Sequence, residues 1–327
     1  MGFPVQRLRR LRQNEKFRRL VRENSLATSD LILPLFVVPG TGVKHEINSI
    51  PGNYHLSIDK LIEEAKEIRD LGIPGILLFG VPDNKEKDLK ATGAYAPHGI
   101  VQEAVRALKK HVPEILVVTD VCLCEFTPHS HCGILDDNGY LLNDASKEVL
   151  AKTALSHVEA GSDMVAPAAM LDGQIRALRE ILDGSGFINT PIMAYAAKYA
   201  SKLYDPFFKE GTQSALSHGD KKTHQMDPCN SNEAMREIAL DIEEGADIIM
   251  VKPALYFLDI VYRAKTEFQM PLATYNVSGE YAMIDAAARI GRLDRRLIMM
   301  EALNSMKRAG ADIIITYFAK DVAKELK

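Results

Sequence analysis

The sequence predicts an α/β protein, a TIM (β/α)8 barrel carrying an extended N-terminal arm. Three observations predict it. Eight short, apolar, β-rich segments recur along the 327 residues, amphipathic helix-like stretches separate most of them, and a shared glycine–aspartate signal closes three of the helices. Continuous apolar runs, rather than alternation, mark strands covered on both faces, as in parallel sheets. A doubly wound sheet is the alternative, but it would leave strands over.

Residues 1–26 read as the arm. Within it, residues 6–22 carry eight Lys or Arg against one Glu, with leucines at intervals. A basic segment of this kind suits a nucleic-acid or membrane contact. It also suits an arm that packs its leucines on a neighbouring subunit while its arginines meet carboxylates, and this second reading is the one adopted. Residues 27–327 read as the barrel. Strands are expected at 30–38, 75–80, 115–123, 163–169, 191–197, 247–252, 271–277 and 312–318, and helices at 57–71, 97–111, 146–160, 173–183, 231–244, 255–268 and 295–309. Glu-Ala-Gly-Ser-Asp (159–163), Glu-Gly-Ala-Asp (244–247) and Ala-Gly-Ala-Asp (309–312) each place a glycine where a left-handed C-cap leads into a short loop and the next strand.

At 46% hydrophobic and 26% charged, the chain can bury a large core, and its net charge of −4 argues against a general nucleic-acid binder. No apolar run approaches the roughly 20 residues that span a bilayer. The N-terminus lacks the apolar core of a signal peptide, so a cytoplasmic protein is expected. Of four cysteines, three fall between positions 122 and 132. In a reducing compartment such a cluster suggests metal binding or catalysis more than disulfides.

In a barrel of this type, chemistry gathers at the C-terminal ends of the strands. Asp120 and the cysteines end the third predicted strand, Lys198 the fifth, Lys252 the sixth, Tyr275 and Ser278 the seventh, and Tyr317 the eighth. A lysine at the inner end of a buried strand has its ammonium form disfavoured by burial, and a second cation nearby disfavours it further. The neutral amine that results is what a carbonyl substrate needs to form a Schiff base. Cys122 and Cys124, two apart on an extended segment, face one way, and Cys132 returns from the following loop. Three thiolates can hold zinc and leave a fourth position open, as catalytic zinc sites do, and soft sulfur favours zinc over magnesium. His129 and His131 are candidates either to replace a cysteine or to support the ligands.

These residues meet in one family. The chain closely resembles the porphobilinogen synthases (5-aminolaevulinate dehydratases) of tetrapyrrole biosynthesis, of the zinc-dependent type. The resemblance covers nearly the whole chain and rests on Asp-Val-Cys-Leu-Cys-Glu-Phe-Thr-Pro-His-Ser-His-Cys-Gly (120–133), Met-Val-Lys-Pro-Ala (250–254), Val-Ser-Gly-Glu-Tyr-Ala-Met (277–283) and Arg-Ala-Gly-Ala-Asp-Ile-Ile-Ile-Thr-Tyr (308–317). It implies the asymmetric condensation of two 5-aminolaevulinate molecules to porphobilinogen with loss of two waters, a step in haem biosynthesis. Lys252 is then the imine former for the substrate that supplies the propionate side, and Lys198 for the acetate side. Zinc on Cys122, Cys124 and Cys132 is the implied Lewis acid, Asp120 assists proton transfer or orients the substrate amine, and Ser278 and Tyr317 bind a carboxylate, with Tyr275 beside them.

The resemblance also makes 201–225 an active-site lid, with Lys221 where the family usually has an arginine for a substrate carboxylate and Gln225 in its usual place. The chain departs from the pattern at Tyr-Asp-Pro-Phe-Phe-Lys (204–209), where the usual arginine aligns with Phe208 or, after a slip, Lys209, and at Ala168, where serine is usual. Lysine supplies charge without the bidentate fork, so slower synthesis is expected. The family assembles as homo-octamers through the arm, and some bacterial members carry an allosteric magnesium, for which Glu237 matches a ligand. A catalytically impaired paralogue, or another Schiff-base aldolase on the same barrel, are the competing enzyme readings. Neither nucleic acid nor membrane is an expected partner.

Overall fold

The computed structural model describes Gly2 and residues 5–327, so positions 1, 3 and 4 of the predicted arm lie outside the described residues. The arm forms a 3-10 turn (Leu8–Arg12) and a short helix α1 (Glu15–Leu20), whose N-cap Asn14 accepts from Phe17 N. Neither element has a buried residue, and Leu8, Leu11, Phe17, Leu20 and Val21 are exposed.

Strand β1 (Leu31–Val37) opens the barrel. A two-stranded ribbon, β2 (Lys44–Glu46) and β3 (Tyr54–Leu56), then folds back so that β3 extends the edge of β1. The remaining strands are β4 (Gly75–Gly80), β5 (Leu116–Val121), β6 (Met164–Pro167), β7 (Met193–Lys198), β8 (Ile248–Lys252), β9 (Leu272–Asn276) and β10 (Ile313–Thr316). Strands β1 and β4–β10 run parallel in the order β6-β5-β4-β1-β10-β9-β8-β7. A parallel bridge between Val165 and Ile192 joins β6 to β7 and closes the ring. All eight expected strands are present: β4 matches its expected bounds, β7 starts two residues later and ends one later than expected, and the other six are shorter at one or both ends.

The helices on the outside are α2 (Ile58–Asp70), α3 (Ile100–His111), α4 (Asn143–Glu159), α5 (Gln174–Gly184), α6 (Asn232–Glu243), α7 (Leu258–Phe268), α8 (Ser278–Arg289), α9 (Arg295–Ala309) and α10 (Ala319–Leu326). Seven of these match the expected helices. Helices α8 and α10 were not expected: α8 begins Ser-Gly and buries Ser278, Glu280 and Asp285, which blurs its apolar stripe, and α10 is only eight residues long. The three glycines read as C-cap signals, Gly161, Gly245 and Gly310, all take positive φ.

The crossover from β7 to α6 is the long 201–225 segment. It opens with a 3-10 turn (Lys202–Tyr204) and a π-helical turn (Phe207–Gly211), then runs irregularly across the mouth of the barrel. It is tied down at several points. Phe207 N donates to Ser278 Oγ (3.1 Å), which donates in turn to Leu203 O (3.2 Å). His55 Nε2 donates to Gly211 O (2.6 Å), and Lys87 Nζ to Gln213 O (3.2 Å). Gly279 allows the contact with Leu203, because a Cβ there would stand 2.6 Å from Leu203 O and 2.7 Å from Leu203 Cα. Backbone on both sides leaves little room to relax. We expect Gly279→Ala to cost about 1–3 kcal/mol, seen as a lower melting temperature, with limited proteolysis accelerated within 201–225. Unchanged proteolysis in that segment would refute this account of its anchoring.

Candidate active site

Lys198 and Lys252 end adjacent strands and are direct partners in register. Both are buried, at 4% and 5% relative exposure. Between Ala194 and Ala197, β7 spends three residues where β8 spends two, from Ile249 to Val251. That extra residue is a bulge, which re-aims side chains: Tyr195 and Lys198, three apart, come to the same side, with Lys198 Nζ 5.4 Å from the Tyr195 ring centroid. Lys198 Nζ donates to Ala168 O at 2.5 Å.

Lys252 sits in an aromatic cage. Its Nζ lies 4.1 Å from the Tyr275 ring centroid, 5.0 Å from Tyr195, 5.1 Å from Phe207 and 5.3 Å from Tyr204. Ring faces attract a cation, but they do not replace the water it has lost. Burial, followed by the charge of Lys198, lowers the Lys252 amine to about 7.

Asp120, near the end of β5, is the carboxylate that answers these cations. Burial and the nearby Glu125 carboxylate raise it to about 7, while Lys198 and Lys252 pull the other way. Its Oδ1 has no hydrogen-bond partner, and neither does the hydroxyl of Tyr195. Burial and the Asp120 charge hold the Tyr195 phenol well above its ordinary value. The Tyr195 phenol and the Asp120 carboxyl lie within each other's influence in a dry site, polar atoms placed to meet a polar ligand.

Beyond Asp120 lie Cys122, Cys124 and Cys132, all buried and all free thiols. Their sulfurs lie within 4.8 Å of one another, with Cys122 Sγ and Cys124 Sγ 3.3 Å apart. Tetrahedral zinc, with Zn–S near 2.3 Å, needs sulfurs about 3.8 Å apart, so the triad fits such an ion. Hydrogen bonds from Cys122 and Cys124 lower the Cys132 thiol well below its ordinary value, so negative charge gathers there first. Among the described residues the other group able to hold a metal is Asp120, Cys122 and Glu125; neither includes His129 or His131. His129 Nδ1 accepts from His131 N (3.1 Å), and His131 Nε2 donates to His218 O (3.1 Å), so these rings brace the cysteine loop against 201–225.

The expected carboxylate-binding residues separate into two sets. Tyr275 and Tyr317 bring their hydroxyls to 3.3 Å, and Ser278 opens α8 three residues beyond Tyr275, its hydroxyl bonded to Phe207 N and Leu203 O. Lys221 and Gln225 are buried and line a cavity of about 320 Å3 with Tyr204 and Phe208. Lys221 Nζ has no hydrogen-bond partner and lies 4.0 Å from the Phe208 ring centroid. Burial opposes its charge, but the three thiols and Glu125 outweigh burial and raise its pKa. Lys209 is not brought in: it is 66% exposed and pairs with Asp205 at 3.4 Å, so Phe208 takes the inward position. Glu237 lies away from the lysines, on α6, in a cavity of about 390 Å3 with Asp172 and Glu233. Burial and then those two carboxylates raise its pKa.

Sequence reasoning missed Tyr195, Glu125 and Phe207. Glu125 stood inside the cysteine motif, and Phe207 beside the lid's missing arginine; for Tyr195 the only signal was its closeness to Lys198.

Comparison with known proteins gives one answer along the chain. The family model for delta-aminolevulinic acid dehydratase matches residues 5–325. A delta-aminolevulinic acid dehydratase from Synechococcus elongatus is 54% identical over 99% of each chain. One from Bacillus subtilis is 51% identical over 100% of this chain and 99% of its own. A crystal structure of the Toxoplasma gondii enzyme with its product porphobilinogen superposes with a TM-score of 0.96 at 42% identity, covering 99% of this chain and 92% of that one.

The lowered Lys252 amine is neutral above about pH 7 and protonated below it. Reductive trapping of Lys252 with a small keto acid, followed by peptide mass spectrometry, should therefore rise with pH through a midpoint near 7, where an exposed lysine has its midpoint near about 10.4. A midpoint at the ordinary lysine value would overturn this picture of the site.

Proposed function

The chain belongs to the delta-aminolevulinic acid dehydratase family and is a lyase that makes porphobilinogen, and we propose that it does so through imines on Lys252 and Lys198. The single observation that carries this reading is the register pairing of two buried lysines, one with its amine lowered to about 7.

On this reading each lysine amine attacks the ketone of one 5-aminolaevulinate and expels one water, which accounts for both waters lost. Lys252, in its cage with Ser278, Tyr275 and Tyr317 nearby, takes the propionate-side substrate. Lys198 takes the acetate-side substrate. Asp120 accepts and returns protons, its pKa near 7 suiting it to both directions. The enamine derived from one substrate attacks the imine carbon of the other, whose bond to its lysine then breaks by elimination. A substrate amino group closes the ring on the remaining imine carbon and displaces the second lysine, and loss of a proton completes the pyrrole. Holding the two substrates side by side removes the entropy cost of their encounter. Cys122, Cys124 and Cys132 would hold zinc, which when bound supplies Lewis acidity. Lys221 and Gln225 face the acetate-side carboxylate from the lid, while Lys209, turned to solvent, contributes less.

Pyrrole formation from 5-aminolaevulinate by the full chain, with zinc and after chelation, tests the reading. Activity with zinc, lost on chelation and restored by zinc but not by magnesium alone, is the expected result. Folded, zinc-loaded protein that makes no pyrrole would favour the impaired-paralogue reading.

The free thiols suit a reducing, cytoplasmic setting. No helix among the described residues is long and apolar enough to cross a membrane. The exposed apolar residues of the arm support a homo-octamer in which each arm packs on another copy, and the acidic surroundings of Glu237 support a regulatory magnesium there. Sedimentation of the full chain, with and without magnesium, should give octamers that Leu8→Glu with Leu20→Glu disperses. Assembly and turnover indifferent to magnesium would remove Glu237 from this role.

A further inference from the structure

Glu280 is fully buried in the first turn of α8, yet no substrate-binding or metal-holding role falls to it. Its carboxylate accepts four N–H donors. Oε1 takes Ala254 N (3.1 Å) and Leu255 N (2.7 Å), and Oε2 takes Asn276 Nδ2 (2.9 Å) and Val277 N (2.8 Å). The chain continues outward: Thr316 Oγ1 donates to Asn276 Oδ1 (2.9 Å) and accepts from Phe318 N (3.1 Å). One carboxylate therefore ties together the C-terminal ends of β8, β9 and β10. Those three ends carry Lys252, Tyr275 and Tyr317. Among the described residues, no hydrogen bond joins the end of β7, with Lys198, to Glu280, Asn276 or Thr316.

We propose that Glu280 is the positioning residue for Lys252, clamping the backbone two and three residues beyond it so that the amine stays inside its aromatic cage. From the other side the Lys252 carbonyl is held by Tyr199 N (2.9 Å) and the Tyr204 hydroxyl (3.0 Å). The lysine is thus gripped between β7 and α8, and only the α8 grip depends on a carboxylate. A carboxylate is the one group of this size that offers two acceptor oxygens and no donor. Glutamine in its place must aim an amide N–H at two N–H donors, whichever way it turns. Burial raises the Glu280 carboxyl to about 7 against these four donors, the mark of a group kept in a dry place by its partners.

The proposal rests on Lys252 as an imine former, and the test separates the two. The zinc-loaded full chain is mixed with 5-aminolaevulinate and reduced with borohydride across a pH series, and label at Lys252 is read by peptide mass spectrometry. The groups that face Lys252 and set its midpoint are Lys198 on β7, Asp120 on β5, Cys122 and Cys124 beyond it, and the phenols of Tyr195, Tyr204 and Tyr275. In Glu280→Gln, trapping at neutral pH should slow about ten-fold, and its midpoint should move toward the ordinary lysine value as the amine leaves Lys198 and the cage. Zinc content should be unchanged. Thr316→Val, which removes only the outer link, should shift rate and midpoint the same way by about three-fold in rate, and it carries the test if Glu280→Gln does not fold. A wild-type midpoint in both variants, or a rate that falls only with the folded fraction, overturns the proposal. Wild-type protein that takes no label at Lys252 overturns the imine reading itself.

Discussion

Two buried amines facing each other on neighbouring strands are the constraint to which the rest of the barrel mouth responds. The parallel register of β7 and β8 places Lys198 opposite Lys252, and the barrel buries both side chains almost wholly. Two ammonium groups so placed repel in a medium that screens poorly. The surrounding structure answers in three ways. A carbonyl oxygen accepts from Lys198, four aromatic rings surround Lys252, and Asp120 supplies a compensating but only partly ionised carboxyl. None of these restores full solvation, so one amine gives up its proton near neutral pH.

That arrangement has an energetic signature that follows from proton linkage. Lys252 is lowered from 10.5 to about 7, so between those values the unfolded chain holds a proton that the folded chain has lost, and stability rises with pH. Asp120 is raised from 3.8 to about 7, so between those values the folded chain holds a proton that the unfolded chain has lost, and stability falls with pH. The two contributions meet near neutrality, where the pair stabilises the fold least. It is also where a neutral amine and a carboxyl able to move protons coexist. Each unit of such displacement corresponds to about 1.4 kcal/mol, a local cost that a core of this size absorbs.

Much of this was legible in the chain because chemistry-bearing residues sat at the ends of apolar runs. All eight barrel strands, the two lysines, Asp120 and the three cysteines could be placed from those runs and one loop. The features that escaped depend on geometry that no local pattern encodes. The ribbon of β2 and β3 is formed by three-residue strands, one of them fully exposed, with no apolar run to betray it. Tyr195 reaches the site only because β7 gains one residue on β8, and strict alternation would have turned it away from Lys198. Lys209 and Phe208 were interchangeable in sequence. The π-helical turn over Phe207–Gly211 decides between them by sending Phe208 inward to Lys221 and Lys209 out to Asp205.

A reaction that joins two identical molecules in unlike roles cannot take its asymmetry from the substrates, so the protein must supply it. The two lysines are equivalent in chain position, each the last residue of a strand, and differ in what the barrel sets beside them. Lys252 is enclosed by rings, with the Ser278, Tyr275 and Tyr317 hydroxyls on the β9 and β10 side, surroundings that favour a neutral amine and a carbonyl able to accept hydrogen bonds from phenols. Lys198 lies toward β6, where its Nζ donates to Ala168 O, with Asp120 on β5 acting on both amines. The parallel order of strands enforces this division: moving around the ring from β5 to β10, the lining passes from thiols and carboxylates, through the two lysines, to phenols and a serine hydroxyl. Two neighbouring amines at the ends of adjacent strands are thereby given unlike surroundings, an aromatic cage for Lys252 and a backbone carbonyl for Lys198, while Asp120 acts on both.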